Sequence, residues 1–110
     1  MSTVPRTYLF VPGDRPDRFD KALAAGADAV VLDLEDAVAP ADKPRAREAV
    51  EMYLQGAGAA ARERLVVRIN DEATPEFEAD LAMLARAGAK QLMLPKAERV
   101  ATVARVRAAC

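Results

Sequence analysis

Four short runs of apolar residues punctuate the chain: Tyr8 to Val11, Ala29 to Leu34, Leu65 to Ile69 and Gln91 to Leu94. They are nearly continuous in apolar character rather than alternating, the pattern of strands covered on both faces. Between them lie stretches rich in Ala, Arg and Glu with helical spacing. Phe19, Leu23 and Ala27 recur at intervals of four, and Phe77, Leu81 and Leu84 share one helical face. Pro16, Pro44 and Pro75 each fall at the first turn of a helix, where a missing N–H costs nothing. Thr74, Asp14 and Asp42 are the candidate N-caps. Gly26 and Gly88 close the first and third helices in matching phrases, Ala25-Gly26-Ala27-Asp28-Ala29 and Ala87-Gly88-Ala89-Lys90-Gln91. The echo predicts a repeated unit with a short turn from helix to strand. The small-residue segment Gln55-Gly56-Ala57-Gly58-Ala59 marks a helix end or loop. The predicted order is strand then helix, four times over.

Parallel strands joined by helices leave two architectures, an open doubly wound sheet or a closed β/α barrel. Four units are half of an eightfold barrel. As part of a barrel, the chain would leave its first and fourth strands as bare apolar edges, and a larger protein or a partner would close it.

Composition narrows the chemistry. Sixteen basic and 17 acidic residues are mixed along the chain, which argues against a nucleic-acid or membrane-surface protein. No stretch has the length of a transmembrane helix, and the first residues lack the apolar core of a signal peptide, so a cytoplasmic location is expected. The one cysteine, Cys110, reads as an ordinary apolar residue. The absence of histidine removes Ser-His-Asp, Cys-His and His-metal chemistry unless a partner supplies the imidazole. Acid–base work falls to carboxylates, Lys or Tyr, and a metal site would use oxygen ligands, pointing to Mg²⁺, Mn²⁺ or Ca²⁺.

Both architectures put the active site at the C-terminal ends of the strands. Those ends read Pro12-Gly13-Asp14-Arg15, Asp33-Leu34-Glu35-Asp36, Arg68-Ile69-Asn70-Asp71 and Pro95-Lys96-Ala97-Glu98. The second is the most informative, with three carboxylates in four residues at the mouth of a buried strand. Asp33 and Glu35 share a face and Asp36 begins the loop. Such a cluster needs cations, so a metal or Lys and Arg must lie close. Arg68 has a fixed charge and a planar fork that suit a carboxylate or a developing enolate, and Asn70 offers a neutral donor and acceptor beside it for substrate. Lys96 is a partner for the carboxylates or a substrate ligand.

Five segments together resemble the HpcH/HpaI aldolase/citrate lyase family, in particular its citrate lyase β-subunit-like members: Arg6 to Gly13, Val31 to Val38, Lys43 to Arg47, Val67 to Asn70 and Leu94 to Glu98. The resemblance runs from Arg6 to the end. It implies a (β/α)8 TIM barrel of the phosphoenolpyruvate/pyruvate type, with residues 1–110 as about its first four β/α units, the N-terminal half of a single catalytic domain. It also implies a Mg²⁺-dependent lyase that splits a 3-hydroxy-acyl thioester of the citryl, citramalyl or malyl type into an acyl thioester and a 2-oxo acid. The acyl group would be carried on coenzyme A or an acyl carrier protein, in a homo-oligomer, a trimer or hexamer. By resemblance Arg68 stabilises the thioester enolate, Glu35 and Asp36 order metal-bound water and the arginine, and Phe10, Arg15 and Lys21 contact the coenzyme A nucleotide. Asp33 and Lys96 stand behind them, Lys96 as a buried lysine. The direct metal ligands, a Glu and an Asp, and a final acid–base carboxylate are expected beyond Cys110.

Plainer roles exist for several of these. Arg15 and Lys21 read equally as solvated charges, Phe10 as core, and Asp71, Glu72 and Glu98 as helix-entry carboxylates. Arg45 and Arg47 read as partners of Glu48 or Glu51. Two other functions compete. Asp33 at a strand end with Pro95-Lys96 on a later strand suits a phosphoacceptor receiver domain, though Pro12-Gly13-Asp14 and Arg68-Ile69-Asn70 replace its other motifs. A non-catalytic acyl-CoA-binding half-barrel subunit is the second.

Overall fold

The computed structural model describes residues 7–96 and 99–109, so Arg6, Ala97, Glu98 and Cys110 lie outside the described residues. The four apolar runs form strands β1 (Tyr8–Pro12), β2 (Ala29–Asp33), β3 (Leu65–Arg68) and β4 (Gln91–Leu94), and β5 (Arg99–Thr102) follows. They make one sheet in chain order, β1-β2-β3-β4-β5, with the first four parallel and β5 antiparallel to β4. A doubly wound sheet reverses its strand order at a switch point; β1 to β4 advance without reversal, as in the wall of a β/α barrel.

The helices pack on one face of this sheet. A 3₁₀ turn (Pro16–Arg18) leads into α1 (Phe19–Ala24), and a second (Pro40–Asp42) into α2 (Lys43–Gly56). Then come α3 (Ala59–Arg64), α4 (Glu76–Ala87) and α5 (Val103–Ala109). Val30, Leu32, Leu65, Val67 and Leu92 pack towards Phe19, Val50, Leu54, Phe77, Leu81 and Leu84. On the other face Ala29, Val31, Val66 and Met93 make a smaller apolar cluster, joined by Val100. These two layers explain the continuous apolar runs, and all five residues of β2 are buried.

Four expectations change. The stretch between β2 and β3 is two helices, because extended backbone at Ala57 and Gly58 breaks it. The fourth unit contains β5, so the free edge of β4 is covered, and among the described residues the sheet ends at β5 on one side and at β1 on the other. There Tyr8, Leu9 and Phe10 are exposed. Asp14, Asp42 and Thr74 make no side-chain cap bonds. The 3₁₀ turns already supply acceptors, Pro16 O for the Phe19 amide and Pro40 O for that of Lys43. Thr74 donates its hydroxyl to Asp71 O, which places Asp71 ahead of the helix rather than in it. Gly26 and Gly88 do adopt positive φ, and Gly88 ends α4 with the Ala89 amide returning to Leu84 O.

Phe19 meets Tyr53 edge-on at 5.0 Å, and the Tyr53 hydroxyl donates to Asp20 at 2.6 Å. Burial, and then the adjoining Asp20 carboxylate, push the Tyr53 phenol up to about 12. An unfolded tyrosine titrates near ~10. The stabilisation from this group is therefore complete below that value and is lost as pH rises towards the folded one. Ultraviolet titration is expected to show a late phenolate step that Tyr53→Phe abolishes.

Candidate active site

The C-terminal ends of β1, β2 and β3 meet at one end of the sheet, and glycine sets how closely. Gly13 donates its amide to Asp33 O at 2.7 Å. A Cβ at Gly13 would stand 2.8 Å from that same oxygen and 2.9 Å from Leu34 Cδ2, so no larger residue fits without moving the end of β2.

Asp33 closes β2 and is 1% exposed. Across the strands its register partner is Arg68, the last residue of β3. The guanidinium grips the carboxylate with two hydrogen bonds, Nε to Oδ1 at 3.0 Å and Nη2 to Oδ2 at 2.6 Å. This is the bidentate fork that makes an arginine–carboxylate pair both strong and directional. The same carboxylate accepts the amides of Glu35 (2.8 Å) and Ala37 (3.3 Å), folding the loop after β2 over the pair. Glu35 is half-buried with its carboxylate 3.9 Å from Arg68 Nε, and Asp36 is exposed. From the other side the Arg68 guanidinium carbon lies 5.1 Å from the centre of the Phe10 ring. Phe10, Asp33, Glu35 and Arg68 thus converge, and the expected cation beside the carboxylates is Arg68.

The burial of Asp33 removes the phosphoacceptor reading. A receiver aspartate must reach a phosphodonor in solvent, whereas both oxygens here are held by Arg68 and backbone amides.

Phe10, Arg15 and Lys21 line one open concavity of about 540 Å³ along β1 and α1, together with Leu9, Arg18 and Asp17. Arg15, Arg18 and Lys21 are exposed, so the groove offers three cations beside an apolar ring. Asp17 holds the Arg15 fork at 3.1 and 3.0 Å in solvent.

Two candidates sit elsewhere than expected. Asn70 is 3% exposed and its amide is taken up by protein. Nδ2 donates to Leu34 O (3.0 Å) and Asp80 Oδ2 (2.7 Å), and Oδ1 accepts from Lys43. It ties the loop after β2 to α4. Lys96 is not buried: its side chain is 80% exposed and reaches Asp71 at 3.6 Å, because it lies in the turn past the end of β4.

Sequence alone assigns no place at this end to three residues that build it, Asp80, Arg47 and Lys43. Asp80 is 1% exposed on α4 and accepts from Arg47 Nε (2.9 Å), the Asn70 amide (2.9 Å) and Asn70 Nδ2. Arg47 also holds Glu76, so its partners are on α4 rather than Glu48 or Glu51; Glu51 pairs with Arg86 instead. Arg45 reaches Asp42 and Asp14. Lys43 donates into the loop after β2. A signal was present for Asp80, which lies three residues after Phe77 and one before Leu81, a carboxylate inside an apolar stripe.

Among the described residues no group of three or more His, Cys, Asp or Glu side chains could hold a metal ion. Comparison with known proteins adds the following. The family model for HpcH/HpaI aldolase/citrate lyase matches residues 6–110. A citrate lyase subunit beta-like protein of Mycobacterium tuberculosis is 50% identical over 96 residues, 87% of this chain and 33% of that protein. An L-malyl-CoA/beta-methylmalyl-CoA lyase of Cereibacter sphaeroides is 44% identical over 94 residues, 83% of this chain and 29% of that one. The chain thus spans about a third of the length of these curated relatives. The crystal structure of CitE from Mycobacterium tuberculosis in complex with magnesium, acetoacetate and coenzyme A superposes with a TM-score of 0.74 at 46% identity, covering 86% of this chain and 34% of that one.

Proposed function

We propose, because this chain belongs to the HpcH/HpaI aldolase/citrate lyase family, that it carries the arginine and thioester-binding part of a Mg²⁺-dependent carbon–carbon lyase. The substrate is a 3-hydroxy-acyl-CoA thioester of the citryl, citramalyl or malyl kind. Cleavage removes the proton of the C3 hydroxyl and breaks the C2–C3 bond. The electron pair passes to the thioester as an enolate, the 2-oxo acid departs, and C2 takes up a proton.

The observation that carries this reading is the Arg68 guanidinium held by Asp33 and covered by Phe10. A cation fixed before the reaction stabilises a developing enolate oxygen without reorganising. The half-buried Glu35 beside it bounds the same space. When bound, Mg²⁺ would neutralise the oxo-acid end. Glu35 and Asp36 are the hard oxygen donors of this rim, and they suit an ion that keeps most of its own water. Phe10, Arg15, Arg18 and Lys21 suit the adenine ring and phosphates of coenzyme A, which favours that carrier over a protein-bound arm. A cytoplasmic, oligomeric enzyme completes the reading.

The test is product analysis with citryl-, citramalyl- and malyl-CoA in the presence of Mg²⁺. A lyase forms 2-oxo acid and acyl-CoA in equal amounts. Free thiol without oxo acid would make it a thioesterase, and no turnover of any of the three would overturn the reading.

A further inference from the structure

Lys43 is the first residue of α2, a poor place for a cation because the helix dipole is positive there. Its side chain turns back to the site. The ammonium donates to Leu34 O at 2.9 Å, Glu35 O at 2.8 Å and Asn70 Oδ1 at 2.7 Å. An ammonium has three N–H donors, and each finds an oxygen here.

Two of those oxygens belong to the loop that presents Glu35 and Asp36. Asp33 holds the same loop by its amides, accepting from Glu35 and Ala37. The loop is therefore gripped by a carboxylate on its N–H groups and by an ammonium on its C=O groups. The third oxygen anchors the grip to the body of the protein. Asn70 is fixed by Asp80, and Asp80 by Arg47 of the same helix that begins with Lys43.

We propose that Lys43 is a positioning residue for the reaction: it fixes the Leu34 and Glu35 carbonyls and so aims the Glu35 carboxylate at the space beside Arg68. Its catalytic consequence rests on the lyase reading above; its effect on the loop does not.

The experiment uses the complete native protein with Lys43→Met and Lys43→Arg, following amide hydrogen exchange and steady-state kinetics with the thioester that the wild type cleaves. Loss of charge-assisted hydrogen bonds is expected to speed exchange at Glu35 and Ala37 by at least about tenfold, with β2 and α4 still protected. Misplacement of the carboxylate is expected to lower kcat by about 100-fold with KM within about twofold. Lys43→Arg keeps the charge but spreads its donors over a plane, so it is expected to fold and to show the same two effects. It decides the matter if Lys43→Met does not fold. Unchanged exchange at Glu35 and Ala37 in a folded variant overturns the inference, and so does faster exchange with unchanged kcat in an active enzyme. If the wild type cleaves no thioester, the lyase reading falls, and the exchange data still decide whether Lys43 holds the loop.

Discussion

Arg68→Met is expected to lower kcat for thioester cleavage by about 10²–10³, the usual loss when one preorganised stabiliser of a developing oxyanion is removed. A second, separable effect follows from its partner. Asp33 is 2% exposed at its side chain and has Arg68 across the strand. Removing the cation leaves a buried carboxylate with only backbone amides, which destabilises a fold by about 3–5 kcal/mol. Urea unfolding of Arg68→Met measures this directly. The double variant Asp33→Asn, Arg68→Met removes the stranded charge and is expected to recover most of the stability while kcat stays low. Recovery of both would mean that Arg68 acts only through the ion pair and never meets the enolate.

Asp80→Ala is expected to be the most destabilising change away from the strand ends, by about 3–5 kcal/mol in urea unfolding. One carboxylate satisfies Arg47, whose side chain is 16% exposed, together with the Asn70 amide and its Nδ2. Without it the Arg47 charge keeps only Glu76, the Asn70 backbone amide loses its acceptor, and Nδ2 keeps only Leu34 O. Asp80→Asn keeps one oxygen and is expected to lose less. Glu51→Ala breaks a two-bonded fork to Arg86, but one whose arginine is 58% exposed, so it is expected to change stability little. A comparable loss from Glu51→Ala would show that burial is not what distinguishes the two pairs.

The parallel strands were readable because covering both faces leaves a mark that local sequence carries: an unbroken apolar run. Gly26 and Gly88 were readable for the same reason, since a left-handed backbone excludes nearly everything else. The charged strand ends were found by their position, and Arg68 as the cation for Asp33 and Glu35 follows from charge balance. Partner choice was not readable. Arg47 has Glu48 and Glu51 close in sequence, yet it crosses to Asp80 and Glu76, because α2 and α4 lie side by side on the sheet. Lys96 was assigned a buried place that depends on what surrounds the end of β4, which no local pattern reports. β5 was missed because Arg99-Val100-Ala101-Thr102 is short and mixed, and only its pairing with β4 makes it a strand.

The Asp33–Arg68 fork also polices strand alignment. A slip of one residue between β2 and β3 would break the match between their last residues. If β3 turned over to follow, the Arg68 guanidinium would leave the Asp33 carboxylate for the helix side of the sheet. Misaligned sheets are thus penalised at the very position where the chemistry is assembled. Strand alignment and enolate recognition are tied to the same two side chains, and neither can drift without the other.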